Sequence, residues 1–88
     1  MDTAVLRLRS DATAWQETDD ETVLLDLDRS RYLGVNRAGS LLWSMLAEGT
    51  TRERLIERLR EAFDLEQERA ATDVDSFLAQ CTARGYLA

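Results

Sequence analysis

The chain has 88 residues and a net charge of −6, with 44% hydrophobic and 32% charged residues, a balance typical of one small globular domain. It contains no histidine and a single cysteine, which excludes an internal disulfide, a multi-thiolate metal site and every catalytic arrangement based on histidine. The negative balance also argues against binding to phosphate backbones or anionic lipids. We therefore expect one domain over residues 1–88 that is not an enzyme and holds no metal or cofactor.

Two features of the chain bear on its location. No apolar run approaches the ~18 residues that a membrane span requires. The first residues, Met1 to Val5, lack the basic and apolar regions of a secretory signal. Both features predict a cytoplasmic protein with no membrane partner.

Two short extended segments open the chain. Residues Val5 to Arg9 alternate like a strand, and Thr13 to Thr18 form a second extended piece in which Trp15 is the only large apolar side chain. The acidic run Asp19-Asp20-Glu21 then predicts a solvated turn rather than a binding site.

A β-hairpin is predicted next. Thr22 to Leu27 is rich in β-branched and aliphatic residues, Asp28 to Ser30 is a turn cluster, and Arg31 to Val35 alternates in period two. Leu33 and Val35 fall on one face of the second strand, whose outer edge lacks the proline and inward charge that protect edges. An open edge beside an apolar face is a place where an extended peptide binds by strand addition.

The apolar period then changes to about 3.6, which indicates helices. The first helix is predicted over Arg37 to Glu48, with Asn36 as its N-cap and Gly49 after its end. Its apolar stripe has Trp43 at the flank, and Gly39 is interpreted as a place where another backbone comes close.

Two further helices are predicted. A capping box of Thr50 and Glu53 begins the second, whose remaining faces mix arginine and glutamate as a solvated surface does. The third extends from about Glu66 to Ala83 and is closed by Gly85. Strands followed by helices favour an α+β fold with an antiparallel sheet and the helices packed on one face.

Three helices and a small hairpin are also typical of a winged helix-turn-helix, so a DNA-binding regulator is the alternative from another class. A recognition helix needs basic and amide side chains at its N-terminal end. The third helix instead starts Glu66-Gln67-Glu68 and continues through Asp73 and Asp75. We therefore expect no nucleic-acid partner.

Several groups of residues, in a fixed order, carry a resemblance to a known family. They are Leu24-Leu-Asp26, Tyr32-Leu-Gly-Val-Asn36, Ala38-Gly39 with Leu42-Trp43, Gly49-Thr50, Asp73-Val74 with Phe77-Leu78, and Gly85-Tyr-Leu87. From about Leu8 to Leu87 the chain resembles the PqqD family, also called the RiPP recognition elements. These are the leader-binding modules of peptide natural-product biosynthesis, and the chain is most similar to the leader-binding B proteins of lasso-peptide clusters.

The resemblance implies a three-stranded antiparallel sheet followed by three helices, similar to a winged helix-turn-helix. It also implies that a leader peptide adds along the last strand, in a cleft against the third helix. The binding residues implied by position are Arg31, Tyr32, Leu33, Gly34 and Val35 on the strand, and Asp73, Val74, Phe77, Leu78, Cys81 and Arg84 on the helix. In lasso systems the leader presents a tyrosine and a proline to an apolar pocket, which Leu33, Val35, Val74 and Phe77 would line.

The function implied is that of a non-catalytic recognition protein, which delivers a precursor peptide to a leader peptidase and a macrolactam-forming cyclase. A PqqD-type peptide chaperone for a radical-enzyme pathway is the close alternative. The open strand edge also allows an edge-to-edge homodimer in the absence of leader. Cys81 is interpreted as a small buried hydrophobic residue.

Overall fold

The computed structural model describes residues 5–19 and 21–88, in which three strands precede three helices. The strands are β1 (Thr13–Glu17), β2 (Thr22–Asp26) and β3 (Arg31–Val35). The helices are α1 (Arg37–Glu48), α2 (Arg52–Phe63) and α3 (Gln67–Ala83). This architecture confirms the predicted α+β fold with a three-stranded antiparallel sheet followed by three helices.

The sheet has the order β1-β2-β3, with both neighbouring pairs antiparallel. Trp15 lies opposite Leu24, which lies opposite Leu33, so these side chains share the face that packs on the helices. Within the described residues β3 pairs with β2 alone, and its other edge is open, as the sequence predicted.

The turns agree with the sequence in most places. The hairpin turn predicted at Asp28 to Ser30 is present, with Ser30 in the left-handed region at φ 52°. In the acidic turn before β2, Asp20 lies outside the described residues. Its neighbours are held by Thr18, whose hydroxyl donates to the Glu21 carbonyl at 3.0 Å.

The segment Val5 to Arg9, which alternates like a strand, does not join the three-stranded sheet. It forms isolated antiparallel bridges instead, from Leu6 to Thr50 and from Leu8 to Leu87. The segment therefore pairs with the loop between α1 and α2 and with the end of the chain.

The bounds and caps of α1 are as predicted. The Asn36 side chain accepts a hydrogen bond from the Gly39 N–H at 2.9 Å, and Gly49 ends the helix at φ 95°. Trp43, which the sequence places at the flank of the apolar stripe, is buried in the core, with its side chain only 1% exposed. Trp43 is central because its ring packs edge-on against the rings of Trp15 and Tyr86, with centroids 5.7 and 5.8 Å away.

Gly39 permits a close approach, but the neighbour is not another backbone. A Cβ atom at this position would overlap the Val35 side chain and lie 3.3 Å from Cε1 of Phe77. The expected backbone contact is therefore wrong. The missing side chain instead allows the end of β3 and the middle of α3 to pack against α1.

The N-cap of α2 is Thr51, whose side chain accepts a hydrogen bond from the Arg54 N–H at 3.2 Å. The predicted capping box of Thr50 and Glu53 is therefore one residue too early. The backbone of Thr50 is committed elsewhere, because it exchanges two hydrogen bonds with Leu6 at 2.6 and 2.9 Å.

The core lies between the inner face of the sheet and the three helices. The core draws on both layers, and its fully buried members include Leu46, Leu55, Leu59, Ala70 and Val74.

Helix α3 ends close to its predicted position, and Gly85 follows at φ 76°. No helix in the described part of the chain is long and apolar enough to cross a membrane.

Candidate functional site

A cleft of about 400 Å³ lies between β3 and the C-terminal half of α3, with the start of α1 at one end. Three of the residues predicted for peptide binding come from the strand, two from the helix and one from the C-cap of that helix. They are Leu33, Gly34, Val35, Phe77, Cys81 and Arg84. The fold therefore brings these six residues together on the walls of one cleft.

The other predicted site residues lie outside the lining of this cleft. Tyr32 is 75% exposed on the opposite face of β3, and Arg31 is exposed at the start of the strand. Val74 is fully buried in the core, and Leu78 is partly buried against it. Asp73 lines an adjoining hollow beside the first half of α3.

Six further residues line the cleft, and sequence reasoning did not select them. They are Leu24, Asn36, Gly39, Trp43, Gln80 and Tyr86. Gln80 could have been found from helical spacing, because it lies three residues after Phe77 and four before Arg84 on one helix face. Trp43 and Tyr86 come from segments distant in sequence, so only the tertiary fold places them here.

Aromatic side chains support the cleft from within. Trp43 and Tyr86 both line it and are themselves buried, at 1% and 3% exposure. The Nε1 atom of Trp43 is buried with no hydrogen-bond partner in the described part of the chain. The Tyr86 hydroxyl donates to Oδ2 of Asp26 at 2.7 Å, which ties the cleft to the hairpin.

Asp26 is the main charged group buried near the cleft. The hydrogen bond from Tyr86 lowers the pKa of its carboxyl from 3.8 to about 2, against the opposing effect of burial, and hydrogen bonds from Arg29 add to the shift. Burial, followed by the hydrogen bond to Asp26, raises the pKa of Tyr86 to about 12. At neutral pH this pair is therefore a carboxylate that accepts from a neutral phenol.

Cys81 is the one cysteine of the chain, and it lies in the wall of the cleft. Burial raises the pKa of its thiol to about 11, with a smaller opposing effect from Arg84. A neutral thiol is a poor nucleophile and a poor metal ligand. Cys81 contributes packing to the cleft, in agreement with its interpretation as a small hydrophobic residue.

The open edge of β3 presents backbone groups beside the cleft. The Leu27 N–H, at the end of β2, donates to the Ala12 carbonyl at 3.0 Å. The backbone N–H and C=O groups of the odd-numbered residues of β2 therefore point toward β1. The even-numbered residues of β2 therefore bond to the odd-numbered residues of β3. By the same alternation, the N–H and C=O groups of Tyr32 and Gly34 point away from β2, toward the open edge.

A second, larger hollow of about 640 Å³ lies between α2 and the start of α3. Its walls carry charges of both signs, including Arg52, Glu53 and Glu57, and no strand contributes to it. Its apolar lining is limited to Ile56 and Leu65, and it lacks the backbone edge to which an extended peptide adds. The cleft beside β3 is therefore the stronger candidate, despite its smaller volume.

The arrangement is suited to binding an extended peptide. It combines apolar side chains with an adjacent row of free backbone donors and acceptors. Within residues 5–19 and 21–88 no group of three or more histidine, cysteine, aspartate or glutamate residues could hold a metal ion. The chemistry that the site offers is hydrogen bonding to an extended backbone and burial of apolar side chains.

The chain is similar to one protein family and to two solved structures. A sequence model of the family described as coenzyme PQQ synthesis protein D (PqqD) matches residues 21–87. A solved structure described as TbiB1 in complex with the TbiA(beta) leader peptide is similar to this chain, with a TM-score of 0.82 and 30% identity over 92% of this chain and 93% of that one. A lasso peptide synthetase B1 complexed with the leader peptide shares the fold, with a TM-score of 0.80 and 23% identity over 94% and 96% of the two chains. No curated protein sequence matches the chain.

Proposed function

The chain belongs to the PqqD family, and on this premise we propose that it binds the leader of a ribosomally made precursor peptide and delivers it to processing enzymes without catalysing a reaction itself. TbiB1, which is 30% identical to this chain, is described in complex with a leader peptide, and this supports leader binding. The sequence resemblance to the B proteins of lasso-peptide clusters supports a lasso pathway, whose processing enzymes are a leader peptidase and a cyclase.

The observation that carries the proposal is the open edge of β3 beside an apolar cleft. A leader segment adds there as a fourth strand, and its backbone bonds to the outward N–H and C=O groups of Tyr32 and Gly34. These backbone bonds set the register of the leader on β3 and form with many leader sequences, because they do not involve side chains. Every second leader side chain then points into the cleft.

Selection comes from the walls of the cleft. The tyrosine and proline anchors expected in the leader contact Leu33, Val35 and Phe77, which are partly buried and accessible from the cleft. Val74 has no exposed surface, so we assign it the supporting role of holding α3 against the core. A few such anchors carry most of the binding energy in interfaces of this kind.

The test is a fluorescence anisotropy titration. The probe is a labelled leader peptide that carries a tyrosine and a proline, with a scrambled leader and a random DNA duplex as controls. We expect a Kd of about 1 μM or tighter, equivalent to about −8 kcal/mol, for the intact leader alone. Binding of the duplex in preference to the leader would replace the proposal with the DNA-binding regulator, and equal binding of the scrambled leader would remove the claim of recognition.

Delivery is tested separately, by reconstitution with the pathway's peptidase and cyclase. The chain alone should leave the precursor mass unchanged, because the cleft holds no catalytic group. Added to the peptidase, it should accelerate leader removal at low precursor concentration. If it instead stimulates only a radical enzyme, the PqqD-type chaperone alternative is correct.

A further inference from the structure

The cleft beside β3 has an unexpected charge. The chain carries a net charge of −6, yet the only charged side chain in the lining of this cleft is Arg84. In the part of the chain that the structure describes, no carboxylate forms an ion pair with the Arg84 guanidinium. An arginine without a counter-ion is a ready partner for a carboxylate on a ligand.

A second arginine lies at the same end of the cleft. Arg31 follows the alternation of β3, so its side chain is on the same face as Leu33. The hairpin turn reaches this end as well, because Nη1 of Arg29 donates to the Arg84 carbonyl at 3.4 Å. Arg31 is not part of the cleft lining but borders it, and we call the end of the cleft that Arg84 lines and Arg31 borders the basic end.

The nearest buried carboxylate does not neutralise the basic end. Asp26 lies opposite Arg31 in the ladder, but it is only 2% exposed and is already engaged. It accepts hydrogen bonds from the Tyr86 hydroxyl at 2.7 Å and from Arg29 at 2.9 Å. Arg31, like Arg84, has no carboxylate partner among the described residues.

The opposite end of the cleft is apolar. A Cβ atom at Gly39 would meet both Val35 and Phe77, so the end of β3 and the middle of α3 converge there. Helix α3 therefore runs antiparallel to β3, with Phe77 at the apolar end and Arg84 at the basic end. At ~3.3 Å per residue, Val35 and Arg31 are about 13 Å apart along the strand.

We propose that the basic end recognises an acidic side chain of the leader, placed about four residues from the apolar anchor that occupies the opposite end of the cleft. The inference rests on the proposed function and specifies its substrate, a peptide that presents an apolar anchor and a carboxylate at this spacing. The guanidinium of Arg84 can hold a carboxylate through two parallel hydrogen bonds, and Arg31 beside the cleft adds a second positive charge, while no other charged side chain lines the cleft.

The test uses two labelled peptides, a leader that carries an apolar anchor and an acidic residue about four positions away, and the same leader with every aspartate and glutamate replaced by its amide. Each is titrated with the wild type, with the double variant Arg31→Gln/Arg84→Gln, and with Arg54→Gln. The last variant removes one positive charge from α2, which contributes no residue to the cleft, and so shows what the loss of a positive charge away from the cleft does. Circular dichroism establishes that all three proteins are folded.

We expect the wild type and Arg54→Gln to bind the amide leader about tenfold more weakly than the native leader, and the double variant to bind both equally. Raising the salt concentration should weaken only the binding that depends on charge. If the double variant still distinguishes the two leaders, or if no protein does, the inference is wrong while leader binding stands. If the wild type binds neither leader, the proposed function fails, and the inference fails with it.

Discussion

At the residue scale, Phe77 is the side chain on which we expect selection by the cleft to depend most. It lies where β3, α1 and α3 converge, and it is partly buried yet reaches the cleft. We expect Phe77→Ala or Leu33→Ala to weaken leader binding by about 1–3 kcal/mol, since each removes apolar contact at an anchor. The measurement is anisotropy, with circular dichroism to verify folding. Variants that remain folded and bind the leader unchanged would contradict this assignment.

The lowered pKa of Asp26 determines whether the stability of the fold rises or falls with pH. The folded value of about 2 lies below the ordinary value of 3.8, so its contribution to stability is complete above about pH 4 and declines as the pH falls toward 2. Asp26→Asn should therefore lower the melting temperature at pH 6, and its difference from the wild type should shrink between pH 4 and 2.

The matched control for Asp26 is Asp28→Asn, which removes an exposed carboxylate from the same hairpin turn. Thermal melts of both variants over pH 2 to 7 separate a local effect from a change in net charge. A difference between Asp26→Asn and the wild type that grows on acidification would show that the sign is wrong.

At the scale of the element, β3 offers a test of strand addition that leaves the sheet in place. The N–H of Gly34 points to the open edge, so Gly34→Pro removes a donor that β2 does not use. We expect this variant to fold and to bind the leader at least about tenfold more weakly, because it loses a backbone hydrogen bond and crowds the incoming strand.

The control for this position is Gly34→Ala. No atom lies within 4 Å of the Cβ that it would add, so the alanine fits and keeps the outward N–H. We expect it to bind the leader much as the wild type does. Equal binding by the proline and alanine variants would mean that the leader does not add to this edge.

The elements themselves were largely predictable because their signals are local. The alternation of β3 and the caps of α1, Asn36 and Gly49, lie within a few residues of what they specify. The start of α2 was not predictable, because Thr50 is held by hydrogen bonds to Leu6 from the far end of the chain. Tertiary pairing therefore decided which of two adjacent threonines caps the helix.

The candidate site was predictable only in part, for a related reason. Helical spacing placed Val74, Phe77 and Cys81 on one stripe, but spacing alone does not distinguish a core position from a cleft wall. Only the packed structure shows that Val74 is fully buried whereas Phe77 reaches the cleft. Tyr86 was missed because its contact with Asp26 joins the end of the chain to the hairpin.

At the scale of the whole molecule, the cleft has a direction. Its apolar end lies at the end of β3 and its basic end at the start of β3. The direction in which a leader binds therefore decides whether its apolar anchor precedes or follows its carboxylate in the leader sequence. An antiparallel leader would place the carboxylate on the C-terminal side of the anchor, and a parallel one on the N-terminal side. The position of the acidic residue that matters for binding therefore reports the orientation of the added strand.

Amide hydrogen exchange followed by NMR tests whether the leader adds to β3 as a strand. In the free protein the Tyr32 and Gly34 amides face the open edge and should exchange quickly, whereas the Leu33 amide is bonded within the sheet and should be protected. Saturating leader should protect Tyr32 and Gly34 and leave Leu33 nearly unchanged. If the leader binds and the exchange of the Tyr32 and Gly34 amides is unaffected, the leader does not extend the sheet at β3 and the account is contradicted.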